Sequence, residues 1–342
     1  VSTPPQTLEQ LDELLSEPSH EVVETLKALP GDIVVLGVAG KMGPTLARMA
    51  RRASQAAGSE RRVIGVSRFS SMDERAALEA RGVETIRCDL TDPEAVERLP
   101  DAPNVVFMAG TKFGSTGQEA RTWAINTYAP AVVSRRYSES RIVAFSTGNV
   151  YGLSPVAAGG SRESDALQPA GEYAQSCLGR ERLLEHFSRT QGTRVAIVRL
   201  NYACELRYGV LVDLARAVWK GETIDLTMGH LNAIWQGDAN AQALRAFAHA
   251  AAPPFVVNVT GSERLAVREV CEDLGRLMGK PPRFTGSEAK DALLSDSSRA
   301  RRLFGDPRVD AKQLLSWIAG WVTAGGASLD KPTHFAVRDG KF

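Results

Sequence analysis

Charge of either sign is scarcely in excess in this chain: 41 Lys and Arg oppose 40 Asp and Glu over 342 residues, a net charge of +1. The balance removes the basic surplus of a nucleic-acid binder and the acidic runs of a disordered tail. Cysteine is sparse and scattered. Cys88, Cys177, Cys204 and Cys271 form no Cys-x-x-Cys pair, so neither a zinc site nor a disulfide framework is indicated. Residues 1–29 are rich in Glu and Asp and lack the apolar core of a secretion signal. No apolar run approaches membrane length, and no internal repeat or low-complexity tract is visible. The expectation is a cytoplasmic, soluble protein without nucleic-acid, membrane or metal partners, long enough for two lobes or one large α/β domain.

What is present is organised around DIVVLGVAGKMG (32–43). The apolar run from Ile33 reads as a buried parallel strand, and a helix opens behind it on Met42, Leu46, Ala47 and Ala50. Gly37, Gly40 and Gly43 punctuate the turn between them. Such a turn aims backbone N–H groups and a helix dipole at one point, where a pyrophosphate can sit. Gly40 would admit the phosphates and Gly43 would let the helix pack closely on the strand. The spacing is Gly-x-x-Gly-x-x-Gly, which by itself is also compatible with an ordinary tight turn.

Two short amphipathic helices precede this unit within residues 1–29, with a packing or subunit-contact role expected. After it, strands at 61–68, 83–90, 104–110, 141–147 and 194–201 alternate with helices near 72–81, 92–99, 118–138 and 171–190. The alternation predicts a doubly wound parallel sheet, α/β in class and Rossmann-type, over residues 30–201. Ligands of such sheets bind beyond the carboxyl ends of the strands. Past residue 201 the rhythm breaks into pieces too irregular to extend the sheet. Residues 202–325 are therefore expected to form mostly a smaller lobe, and 326–342 an extended surface tail.

Several motifs fall in a specific order: the opening glycines, CDLTD (88–92), FSTGNVYG (145–152), EYAQSC from Glu172, RLNYA (199–203) and SSRARRLFG (297–305). Together they resemble the extended short-chain dehydrogenase/reductase family, in its NAD-dependent epimerase/dehydratase branch. The resemblance spans about residues 32–325. It implies a Rossmann lobe for a dinucleotide, a smaller lobe for a sugar-like substrate, and a helix at 238–250 that returns to the large lobe. Carried over by position, Gly37, Gly40, Lys41, Met42 and Gly43 match the pyrophosphate turn, and Asp89 and Leu90 the pair that holds adenine. Ala109 and Gly110 match the small residues beneath the ribose, and Asn126 is grouped with the cofactor residues. Thr147 matches the catalytic Ser/Thr and Tyr173 the catalytic tyrosine, itself also a cofactor contact. Asn149 and Asn201 fall at the entrance to the substrate lobe. The chemistry implied is hydride transfer at a carbinol carbon, with the tyrosine exchanging a proton with the substrate oxygen. Members pair through the helices corresponding to 118–138 and 171–190, so a homodimer is an expectation.

Three departures from the family pattern follow. The lysine one turn after the tyrosine, which lowers the phenol from its ordinary pKa of about 10, is Cys177 here. Lys112, directly after the fourth strand, is the candidate replacement; Arg180 shares the face of Tyr173 but is expected at the surface. Secondly, the second strand ends in Ser67 and Arg68 rather than an acid, which favours NADP over NAD because an arginine can fork a 2′-phosphate. Thirdly, TMGHLNAIWQGD (227–238) contains no Lys or Arg to meet a sugar nucleotide's diphosphate. A diphosphate buried without a cation would be uncompensated. The substrate expected is a free sugar, sugar acid or polyol, in a pocket lined by Arg207, Tyr208, His230, Asn232 and Trp235. A nucleotide-sugar epimerase or dehydratase, and a catalytically weakened dinucleotide sensor, remain alternatives.

Overall fold

The computed structural model describes residues 3–112 and 116–341. Seven parallel strands form its central sheet: β1 (Ile33–Leu36), β2 (Val63–Ser67), β3 (Glu84–Arg87), β4 (Asn104–Phe107), β5 (Arg141–Thr147), β6 (Arg194–Leu200) and β7 (Phe255–Val259). Their spatial order is β7-β6-β5-β4-β1-β2-β3, so the winding reverses on either side of β1 and leaves a crevice at its carboxyl end. Alternate residues face opposite layers, as strand geometry requires. Ile33, Val35, Val143 and Val198 pack with Val22, Leu26, Leu46 and Leu244 on one face. Val34, Leu36, Ile142 and Ile197 pack with Val96, Val133 and Leu184 on the other. Burial on both faces explains why these strands read as continuous apolar runs rather than alternating ones.

The helices on the first face are α1 (Leu8–Leu15), α2 (His20–Lys27) and α3 (Gly43–Ala56). Helix α4 (Met72–Glu79) joins them through Leu78, and along the second face lie α5 (Pro93–Glu97), α6 (Glu119–Trp123), α7 (Ala129–Arg136) and α8 (Gly171–Gln191). The stretch expected as one helix over 118–138 is divided, because a π turn at Ala124–Tyr128 separates α6 from α7. Pro130 lacks an N–H and crowds the carbonyl four residues earlier, and the widened turn just ahead of it relieves both. The first two helices divide their allegiance. Val22 and Leu26 of α2 join the sheet's core, whereas Leu11 and Leu15 of α1 join that of the smaller lobe.

That lobe is built on α9 (Val210–Lys220), α11 (Val267–Met278) and α13 (Ala311–Thr323), with Trp235 and Trp317 inside it. Helix α10 (Gln236–Arg245) lies between, with Ala239, Ala243 and Leu244 in the large core beside α2 and α3. It delivers the chain to the sheet edge, where β7 pairs in register with Ala196–Leu200. This corrects the expectation that nothing beyond 201 extends the sheet. FVVNV has the propensity of a strand, but its place depends on where α10 releases it.

A buried polar cluster fixes α8 to the sheet. Arg199 of β6 reaches Glu181 of α8 at 2.7 Å and the Tyr151 hydroxyl at 2.7 Å; Ser146 donates to Glu181 at 2.5 Å. Tyr151 in turn donates to Asn258 of β7 at 2.7 Å. Removing any charged member would leave a buried partner uncompensated.

Candidate active site

A cavity of about 460 Å³ opens where the sequence places it, beyond the carboxyl ends of β1, β4, β5 and β6. Its first wall is the glycine turn. Gly37 sits at φ +91°, and a Cβ there would come within 2.5 Å of the Ala109 backbone nitrogen. A Cβ on Gly43 would collide with the Val38 carbonyl, so this glycine lets α3 start directly against the strand end. Gly40, Lys41 and Met42 line the cavity itself. Helix α3 begins without a side-chain cap or an acidic residue in its first turn, which leaves its dipole open to an anion. The crevice therefore fits a dinucleotide's pyrophosphate.

The second wall carries the hydroxyls. Thr147 ends β5; its Oγ1 accepts from the Asn149 backbone N–H at 3.2 Å and side-chain Nδ2 at 2.9 Å. Tyr173, in the first turn of α8, hydrogen-bonds with Thr147 across the cavity floor. Burial drives the Tyr173 phenol well above its usual range, with Cys177 adding to the rise and Thr147 opposing it. Cys177 is itself buried and its thiol is raised by desolvation, so it supplies no cation. Two cations are nearby: the Lys112 Nζ lies 5.7 Å from the Tyr173 ring centroid, and the charge of Arg180 opposes the rise of the phenol. Burial lowers Lys112 to about 8.

Lys112 owes its position to Asn126. That side chain accepts from the Thr111 N–H at 2.8 Å and donates to the Thr111 carbonyl at 2.9 Å, clamping the residue next door. Asn126, expected among the cofactor residues, is fully buried and absent from the cavity wall, where it holds the loop in place. Arg180 holds Asn126 in turn, through the Asn126 carbonyl at 3.1 Å and Oδ1 at 3.2 Å, and donates to the Phe145 carbonyl at 2.6 Å. The expectation of a surface arginine is thus corrected: Arg180 is 4% exposed and lines the cavity. Its guanidinium lies beneath Gly110, where a Cβ would approach Nη2 to 3.0 Å.

Other expected residues divide. Asn149, Asn201 and Tyr208 line the cavity, and Tyr202, between the last two and also lining it, adopts φ +47° at the end of β6. Trp235 does not line it: the side chain is 1% exposed and packs edge-on against Trp317 at 5.5 Å. Arg207 is drawn away by Glu205 at 2.9 Å and Asp12 at 3.2 Å. His230 pairs in a short strand with Ala266, and the buried Asn232 bridges Glu263 and Ser295. None of these four lines this cavity; Trp235, His230 and Asn232 are engaged in packing and pairing, whereas Arg207 faces a neighbouring cavity. Ala109 meets Gly37, while Ser67, Arg68, Asp89 and Leu90 stand at the ends of β2 and β3, outside the cavity wall. Arg68 and Asp89 face each other at 4.0 Å.

The tail is the element the sequence does not announce. After α13 it crosses the front of the cavity and contributes Lys331 and Thr333 to the lining. Thr333 binds Asp213 of α9 through both its N–H and its hydroxyl, at 2.8 and 2.6 Å. Further on, Gly340 packs against Ala170 and Gly171, where α8 begins. Among the described residues no group of His, Cys, Asp and Glu could hold a metal, and no helix is long and apolar enough to cross a membrane.

Residues 33–225 match the model of the NAD dependent epimerase/dehydratase family. No curated protein matches the chain by sequence. Among solved structures, MoeE5 in complex with UDP-glucuronic acid and NAD is similar at a TM-score of 0.69 and 22% identity, covering 86% of this chain and 100% of that one. The dTDP-glucose 4,6-dehydratase of Bacillus anthracis in complex with NAD gives 0.72 and 16%, over 86% and 97%. The UDP-glucose 4-epimerase of Thermotoga maritima with UDP-glucose gives 0.69 and 18%, over 86% and 99%. At such identities the likeness establishes the fold.

Proposed function

The chain belongs to the NAD-dependent epimerase/dehydratase family, and from that premise we propose that it is an enzyme moving a hydride between a nicotinamide dinucleotide and a carbinol carbon of a small carbohydrate. The observation that carries this reading is the joined Tyr173 and Thr147 hydroxyls on the cavity floor with Lys112 beside the ring. When bound, the dinucleotide supplies or accepts the hydride. Tyr173 gives its proton to the substrate oxygen in reduction and takes it back in oxidation, while Thr147 holds that oxygen in line. Because burial raises Tyr173, the phenol is protonated at neutral pH and set up as an acid. The Lys112 ammonium would stabilise the phenolate left behind, the task of the family lysine that Cys177 replaces.

The glycine turn and the α3 N-terminus would hold the pyrophosphate. Arg68 supports NADP over NAD by its fit to a 2′-phosphate, although Asp89 beside it moderates the preference. The cavity volume supports a monosaccharide-sized substrate: about 460 Å³ must serve both the nicotinamide end and the substrate, within a range of roughly 300–1,000 Å³ for ligand pockets generally. A second reading, a sugar-nucleotide substrate, draws on a neighbouring cavity of about 450 Å³ that shares Tyr208 and Lys331 with the first and is lined by Arg207, Arg216 and Lys220. A homodimer through helices 118–138 and 171–190 belongs to the same proposal, and Trp123 and Tyr128 are exposed on that side.

The test incubates the protein with NADP or NAD and a panel of sugars, sugar acids, polyols and sugar nucleotides, read at the nicotinamide absorbance, with product sugars analysed for epimers. Turnover of an unactivated carbohydrate that Tyr173→Phe abolishes supports the first reading. Turnover of sugar nucleotides alone supports the second. Dinucleotide binding without any turnover returns the protein to a sensor.

A further inference from the structure

The cavity is one-sidedly cationic. Lys41, Lys112, Arg180 and Lys331 line it, and no Asp or Glu among the described residues does. Arg180 is engaged with carbonyls of Asn126 and Phe145, and Lys112 stands beside Tyr173. Lys41 and Lys331 are of another kind. They line the cavity with Tyr208, the Lys41 Nζ 3.5 Å from its ring centroid. Lys331 is also held from both sides: Leu329 donates to the Arg207 carbonyl at 3.1 Å before it, and Thr333 is bound to Asp213 after it. Arg338, donating to the Asp291 carbonyl at 3.0 Å, anchors the tail again further on. The tail thus presents one lysine to the cavity on a backbone fixed within two residues in each direction.

We propose that the substrate carries an anionic group, a carboxylate or a phosphate, and that Lys331 of the C-terminal tail binds it with Lys41 as the second cation. This rests on the reading of the cavity as a carbohydrate-processing site. Like charges converging on one cavity repel one another unless a ligand neutralises them. Lys41 feels this directly: burial, then the charges of Lys331 and Lys112, lower it to about 8, with Asp213 of α9 opposing them. A dinucleotide's pyrophosphate answers the glycine turn, and an anion on the substrate answers the tail. The absence of cations from 227–238 is then no obstacle, because the tail and the turn bring theirs from elsewhere in the sequence.

Calorimetry on dinucleotide-loaded protein, with glucuronate, glucose 6-phosphate, UDP-glucose and neutral glucose as probes, tests the proposal and separates the three sources of negative charge. At least one anionic probe is expected to bind at least tenfold more tightly than glucose. Lys331→Met should weaken that probe by roughly ten- to a hundredfold, as loss of a charged hydrogen bond does, and Lys331→Arg should recover most of it. For any probe that is turned over, the loss should fall on KM rather than kcat. Lys331 is on the surface of the tail, so neither variant threatens folding. Equal binding of glucose and every anion, failure of all probes to bind, or indifference of the anion to Lys331→Met overturns the inference. Anion binding through Lys331 without any turnover leaves it standing and removes the proposed activity instead.

Discussion

Replacing Lys112 by Met removes a cation beside the Tyr173 ring, and the structure sets the size of the effect. At the 5.7 Å separation between Nζ and ring centroid, one unit charge is worth about 3 kcal/mol to a phenolate at an effective dielectric of about 20. Allowing for partial access of water to the loop, on the order of 2–3 kcal/mol is lost, or roughly 30- to 160-fold in kcat/KM at neutral pH. The pH profile carries a sharper signature. Lys112 titrates at about 8, faced by Tyr173 and Cys177 of α8 and by Lys41 of the glycine turn. A lysine lowered by burial is charged below that pH and neutral above it. Activity that depends on its charge is therefore full on the acid side and falls as pH rises through about 8. Lys112→Met should flatten that alkaline limb, and Lys112→Arg, charged throughout, should keep neutral-pH activity and move the limb upward. Steady-state kinetics from pH 6 to pH 10 measures all three. If Lys112→Met stays within about threefold of the unmodified protein at neutral pH, or keeps the same alkaline limb, Lys112 is not the replacement for the family lysine.

Tyr173→Phe should cut turnover by at least about a hundredfold, the usual reach of a general acid, while calorimetric dinucleotide affinity stays within a few-fold; retained turnover would show that another acid operates. Arg68→Glu should weaken NADP and spare NAD, and tighter binding of NAD to the unmodified protein would refute the preference. Glu181→Ala should cost about 3–5 kcal/mol in urea denaturation, since it strands the buried Arg199 guanidinium; a loss below about 1 kcal/mol would mean that water or a rearranged Tyr151 takes over.

Cys177 stands where the family motif has its lysine, on the same helix as Tyr173. One turn of α8 places position 177 beside Tyr173, and there the thiol only adds to the rise of the phenol. In the proposed mechanism the charge enters instead from the end of β4, through Lys112 in a loop clamped by Asn126, which is held by Arg180 from the same helix as the tyrosine. The three residues are distant in sequence, and the network closes only because β4, β5 and α8 are neighbours.

What the amino-acid order determined by itself was whatever depends on a few consecutive residues. The glycine turn is legible because only glycine tolerates φ +91° at Gly37 and the approach of the Val38 carbonyl at Gly43. The central strands are legible because burial on both faces writes apolar runs, with the exposed edge strand β3 the exception, and Thr147 and Tyr173 stand out only by their match to the family motifs. Tertiary structure decided the rest. Arg180 shares its helical face with Tyr173, yet only the packing of α8 on β5 buries it. Trp235 reads like a pocket aromatic until Trp317 covers it. Phe255–Val259 becomes a seventh strand only where α10 leaves it. Lys331, in a stretch without periodicity, reaches the cavity because Asp213 of α9 holds Thr333 two residues on. Backbone conformation is set by neighbours along the chain. The surroundings of a charge are set by whatever the fold brings against it, and no local pattern records that.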